Sequence, residues 1–178
     1  MVSTIDVTSA CIDWGRACPA AEPLVREAAR LALMEGMAAS RLPLLGLVEL
    51  GIILADDAEQ RRLNRDYRGQ DASTNVLAFS AWERGMPVPP GAPVLLGDVV
   101  LAFETVAREA ADQDKRLEDH LGHLVVHGVL HLLGYDHVSA AEAVTMEALE
   151  ASILAKLGVS DPYRDGAWSP ETRPNRHE

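Results

Sequence analysis

The chain has 178 residues, 48% of them apolar, which is enough for one self-supporting core and fits a single domain of ordinary globular make-up. Its 16 basic and 27 acidic residues leave a formal charge of −11, which excludes wrapping of nucleic acid by the surface as a whole. Cys11 and Cys18, with no CxxC and no secretion signal in the opening residues, point to a reduced, cytoplasmic chain, and no apolar run has the length to span a bilayer, so no membrane partner is expected.

Residues 4–12 read as a first strand, with Ile5, Val7 and Ile12 apolar between polar neighbours. Pro23 can open a helix, and Leu24, Ala28, Leu31, Ala32 and Met34 carry its apolar face to residue 39. Residues 46–54 form a second strand, mostly apolar and therefore central. Asp56 with Glu59 is a capping pair that starts a short helix to residue 64. A third strand follows at 75–80. Four prolines and two glycines make 81–93 a loop, either a flap or an idle surface excursion. Residues 95–101 are a fourth strand, 103–113 a helix and 117–133 a second, markedly apolar helix. Ser139 and Glu142 form a capping box for a last helix over 140–157, stopped by Gly158. Residues 159–178, polar and with three prolines, are expected to be a disordered tail. The whole is an α+β domain over residues 1–158: a mixed sheet of about four strands packed with about five helices.

The chemistry concentrates at the end of the 117–133 helix and the turn that follows it. His127 and His131, at about 100° per residue, lie roughly 40° apart on one helix face, one turn from each other. Gly134 can take the left-handed conformation that ends a helix, which lets the chain turn back and bring His137 over the same face. Three protein nitrogens with a fourth position left to water is the arrangement of a catalytic zinc, one ion per chain, although nickel, copper or cobalt also suit three histidines. A divalent ion on neutral imidazoles keeps most of its charge and can ionise a water near neutral pH. His120 and His123 share the helix face; both are neighbours of the ligands, and His123 is the candidate for support from behind. Asp136 either orients a histidine in the same way or caps the turn.

The spacing H-x3-H-x2-G-x2-H is shared with metzincin peptidases, which carry a glutamate directly after the first histidine as general base. Gly128 holds that place here, so a peptidase-like hydrolase would need another base, such as Asp136. The one concentrated basic stretch is 61–68, with Arg61, Arg62, Arg65 and Arg68 against Asp66. It is either a solvated helix end or an anion-binding surface. Tyr67 within it can stack on a base, and Asn64 and Thr74 can hydrogen-bond either RNA or the backbone.

The run His127-Gly128-Val129-Leu130-His131-Leu132-Leu133-Gly134-Tyr135-Asp136-His137 resembles the signature of the YbeY family, bacterial metal-dependent endoribonucleases of ribosomal RNA maturation. Two further blocks in the family's order strengthen the resemblance: Leu63-Asn64-x-x-Tyr67-Arg68, continuing through Asp71-x-Ser73-Thr74-Asn75-Val76-Leu77-Ala78-Phe79, and Leu96-Gly97-Asp98-Val99-Val100. Ala78 and Ser80 stand where the family more often shows Ser and Pro. The resemblance implies a single-strand-specific endoribonuclease acting in 16S rRNA 3′-end maturation and ribosome quality control. Its partners would be ribosomal RNA, the small ribosomal subunit and that subunit's assembly factors. It also implies that Arg68 is the catalytic arginine, a permanently charged fork suited to a phosphate. Of its neighbours in the basic stretch, Arg61, Arg65 and Tyr67 are the candidates for contacting RNA. A noncatalytic ribosome-assembly factor would need neither an open metal position nor Arg68.

Overall fold

A computed structural model describes residues 2–42 and 47–164. The elements in chain order are β1 (Val2–Ser9), α1 (Ile12–Ala17), α2 (Ala21–Ser40), β2 (Leu47–Ala55), α3 (Asp57–Arg68), β3 (Val76–Ser80), β4 (Val94–Ala102), α4 (Phe103–Asp112), α5 (Leu117–Leu132) and α6 (Ala140–Lys156). The four strands form one mixed sheet in the order β1-β2-β4-β3, with β1, β2 and β4 parallel and β3 antiparallel on the edge.

Side-chain alternation on β2 decides which face of the sheet is buried. Val48, Leu50, Ile52 and Leu54 point into the core, in register with Ile5 and Val7 of β1 and with Val99 and Leu101 of β4. Against that face lies α5, buried on nearly every side from His120 to Leu130, as a helix that is apolar all round must be. Two glycines set its depth. A Cβ at Gly128 would stand 2.7 Å from a methyl of Val99, and one at Gly36 of α2 would stand 2.6 Å from Leu133, so both neighbours approach α5 at backbone distance.

Among the described residues six helices stand where about five were expected, and the addition is α1. Residues 10–12 do not extend the first strand: β1 ends at Ser9, and Ile12 opens the short helix and is exposed. Trp14, with no exposed surface, anchors it by donating its indole N–H to the Ala55 carbonyl at 2.8 Å and meeting Phe103 edge to face. α2 starts at Ala21, so Pro23 lies in its first turn rather than at its head. α3 runs four residues past the expected end at 64, because the Asp56 carboxylate caps the Glu59 N–H and nothing breaks the chain until Gly69 takes φ 69°. Cys11 and Cys18 are both free and buried. Residues 159–164, assigned by sequence to the tail, pack back on the helices, with Val159 against the core and Pro162 buried. The remainder of the expected tail, 165–178, and residue 46 of the second strand lie outside the described residues. Among the described residues no helix is long and apolar enough to cross a membrane.

Candidate metal centre

α5 ends in a turn built from its own last carbonyls. The Tyr135 N–H returns to the Leu130 carbonyl at 3.0 Å and the Gly134 N–H to His131 at 2.9 Å, a Schellman closure that requires the φ of 89° taken by Gly134. Tyr135 locks the turn from outside by donating its hydroxyl to the Gly36 carbonyl at 2.7 Å. The Asp136 carboxylate accepts the backbone N–H of His137 at 2.8 Å, so among the described bonds Asp136 holds the turn.

The turn delivers His137 to the two helix histidines. One ligand nitrogen from each of His127, His131 and His137 falls within 4.8 Å of the others, and the Nε2 atoms of His127 and His131 are 2.9 Å apart. A tetrahedral ion with bonds of about 2.0–2.1 Å to imidazole sets its ligand atoms about 3.3 Å from one another. The 2.9 Å between His127 and His131 and the 4.8 Å bound on all three are compatible with that value, so the donor set fits a divalent ion that accepts imidazole.

Behind His127 stands a residue that sequence reading missed. Glu150 of α6 has no exposed surface; its Oε1 accepts from His127 Nδ1 at 2.6 Å, and its Oε2 lies 3.2 Å from His123 Nε2. Burial pushes its carboxyl up, but the charge and hydrogen bonds brought by His127 and His123 outweigh burial and hold it at about 2. An ionised Glu150 keeps the proton of His127 on Nδ1 and turns the Nε2 lone pair toward His131 and His137, which is how a carboxylate commonly orients a metal-binding imidazole. Burial pushes His123 below its ordinary value, against the pull of Glu150. A signal was present in the sequence: Met146, Glu150, Ile153 and Leu154 make up the buried stripe of α6, and an acid on such a stripe needs a buried partner. His120 is occupied elsewhere, with Nε2 at 2.8 Å from Glu109.

Gly128 now has a structural reason. Its α-carbon faces β3 and β4, turned roughly 60–100° around α5 from His131 and His127, and a side chain there would run into Val99 and Val76. The peptidase glutamate is therefore absent from the sequence and would also have no room in this fold.

The arginines divide. Arg61 is held in a two-point pair by Asp71, Arg62 by Glu59 and Asp66, and Arg65 by Asp66. Arg68 makes no ion pair among the described residues. It is half-buried, burial lowers its pKa, and its guanidinium donates to the Ala78 carbonyl on the outer edge of β3 while lying 4.8 Å over the Phe79 ring. Tyr67, 75% exposed, meets the same ring edge-on at 6.0 Å. Asn64 is buried and spends its amide on the Ala72 carbonyl, and the Thr74 N–H goes to Gln60, so these groups secure the 69–75 loop. At the turn that follows α5, Arg84 of the 81–93 loop reaches the Leu133 carbonyl at 3.4 Å.

Residues 20–158 match the family Endoribonuclease YbeY. The chain belongs to the YbeY endoribonuclease family. It is 56% identical over 160 residues to the YbeY endoribonuclease of Paramagnetospirillum magneticum, covering 89% of this chain and 94% of that protein. With the YbeY of Rhodospirillum rubrum it shares 58% over 125 residues, 70% of this chain and 62% of the relative. Among solved structures it is similar to the solution structure of TM1509 from Thermotoga maritima, with a TM-score of 0.54 and 23% identity over 90% of this chain and 99% of that one, a likeness of fold alone. The YbeY match spans α2 to the end of α6 and so includes all three histidines, Glu150 and the Arg68 block.

Proposed function

We propose that the chain is a metal-dependent endoribonuclease that cuts single-stranded RNA and acts in 16S rRNA 3′-end maturation and ribosome quality control in the cytoplasm. One zinc ion is its cofactor, and its partners are ribosomal RNA, the small ribosomal subunit and its assembly factors. The observation that carries the reading is the convergence of His127, His131 and His137 within 4.8 Å in a chain of this family. The names of the relatives supply the reaction class.

When bound, a divalent ion at the three histidines supplies Lewis acidity toward a phosphate oxygen. The protein supplies the rest. Glu150 fixes which nitrogen of His127 faces the site, and Asp136 and Gly134 fix where His137 stands. Arg68 brings a guanidinium that no carboxylate among the described residues neutralises, suited to the charge that builds on the equatorial oxygens during phosphodiester cleavage. Tyr67 offers an exposed ring on which an unpaired base can stack, a preference for single strands that a duplex would deny. Arg61 and Arg65 add positive charge beside it, moderated by Asp71 and Asp66. At a net −11 the rest of the surface repels RNA, so delivery depends on this local site and on a ribosomal partner.

The test uses metal-stripped protein restored with zinc on a single-stranded RNA, its duplex and an unstructured peptide. Zinc-restored cutting of the single strand alone, lost in His131→Ala, is the expected result. Intact RNA under every metal tried, with ribosome binding retained, would make the chain an assembly factor; peptide cleavage would make it a hydrolase of another class.

A further inference from the structure

We infer that Tyr163 is a positioning residue of the metal centre: the segment 159–164, folded back across α5 and α6, clamps the carboxylate that aims His127. The inference rests on the metal-centre reading and extends it to a stretch of chain that carries no ligand.

Three observations lead to it. First, the Tyr163 hydroxyl donates to Glu150 Oε2, the oxygen opposite the one that holds His127, and lies 3.2 Å from His123 Nε2. Glu150 is thereby gripped by three side chains: His127 and His123 of α5, and the Tyr163 hydroxyl from beyond α6. A carboxylate held at both oxygens cannot rotate about its last torsion, and its Oε1 therefore fixes the plane and tilt of the His127 ring. Second, the Tyr163 ring packs edge-on to His123 at 5.7 Å, at an angle of 86°, so the hydroxyl is delivered by a ring that is itself seated. Its own turn is held by the Asp161 carboxylate, which accepts the Tyr163 N–H at 2.8 Å. Third, Val159, Ser160, Asp161 and Pro162 form one wall of a partly open cavity of about 180 Å³ whose other wall includes His120 and His123. The segment that carries Tyr163 is therefore seated along the α5 face that presents His123, the histidine that shares Glu150 Oε2.

The order of effects follows from the chain of contacts. Loss of the Glu150 charge removes the partner of His127 itself. Loss of the Tyr163 hydroxyl leaves that partner present but held only by His123 at its second oxygen. Metal affinity should therefore fall further in Glu150→Gln than in Tyr163→Phe, within the roughly 10–100-fold span typical of such supporting groups.

The experiment titrates full-length, metal-stripped wild type, Tyr163→Phe and Glu150→Gln with cobalt, followed by visible d–d absorption, and with zinc against a competing chelator. Urea unfolding of each metal-free protein runs alongside. The expected result is about tenfold weaker binding in Tyr163→Phe with a changed cobalt band, and a larger loss in Glu150→Gln. Should Glu150→Gln not fold, Tyr163→Phe alone decides. A Tyr163→Phe protein with wild-type affinity and cobalt spectrum overturns the inference, whatever its urea midpoint, and leaves Tyr163 a packing residue. Wild type that takes up no metal overturns the metal-centre reading and this inference with it.

Discussion

Substituting Gly128 by alanine tests why this helix carries glycine between its ligands. The new methyl would stand 2.7 Å and 3.2 Å from the two methyls of Val99 and 3.4 Å from Val76. Val99 is fully buried on β4 and β-branched, so its χ1 is restricted and it has little room to retreat. Overpacking of a tight core costs about 1–3 kcal/mol, and this contact belongs at the upper end. Alanine returns about 1 kcal/mol of helix propensity. The net loss is about 1–2 kcal/mol, which for a domain of this size lowers the melting midpoint by roughly 2–8 °C. Urea and thermal unfolding of Gly128→Ala measure it, with Val99→Ala added as the relieving partner in a double-mutant cycle. Gly128→Glu, which restores the peptidase sequence pattern, should unfold far more readily and gain no peptidase activity. A Gly128→Ala protein as stable as wild type, or more stable, would refute the packing argument and reopen this position to a catalytic side chain.

Arg68→Ala should lower cleavage of single-stranded RNA by roughly 100–1,000-fold, as loss of a donor to a developing oxyanion does, and Arg68→Lys should recover little because the two-point fork is gone. Unchanged cleavage with reduced stability would make Arg68 only a clamp on the β3 edge. Trp14→Ala should cost about 3–5 kcal/mol in urea unfolding, since the fully buried indole is what docks α1; a loss below about 1 kcal/mol would show α1 to be dispensable. Asp98 lies across from Phe79 with its carboxylate over Gly51, where burial raises its pKa. Between 3.8 and that raised value the folded protein holds more protons than the unfolded chain, so stability falls as pH rises through the window. Asp98→Asn should accordingly melt higher than wild type at pH 7, with the difference shrinking as pH falls through that window toward 3.8. A difference that does not change with pH would show that Asp98 is not the group responsible.

Most of the metal centre was legible because it is local. His127, His131, Gly134 and His137 span eleven residues, and helix periodicity with one left-handed glycine fixes their relation without knowledge of the fold. Glu150 was not legible in the same way. Its partners sit 23 and 27 residues earlier, and only the packing of α6 on α5 brings them together. An acid on the Met146–Ile153–Leu154 stripe was still a visible anomaly. Tyr163 lay in a stretch whose prolines and charges read as tail, and what orders it is contact with His123 and Glu150. α1 has six residues, too few for a periodic pattern, and owes its place to one tryptophan. The end of α3 was set too early because its apolar spacing fades after Asn64, while Gly69, the residue that stops it, marked the true end.

The central claim is that three histidines of this chain hold one catalytic divalent ion. Zinc titration of the metal-free protein, with X-ray absorption fine structure on the loaded form, tests it most directly. One ion per chain is expected, with three imidazole nitrogens at about 2.0–2.1 Å and one non-histidine oxygen donor in the open position. His131→Ala should abolish that stoichiometry. Four protein ligands around the ion, or no uptake of zinc at micromolar concentration, would contradict it.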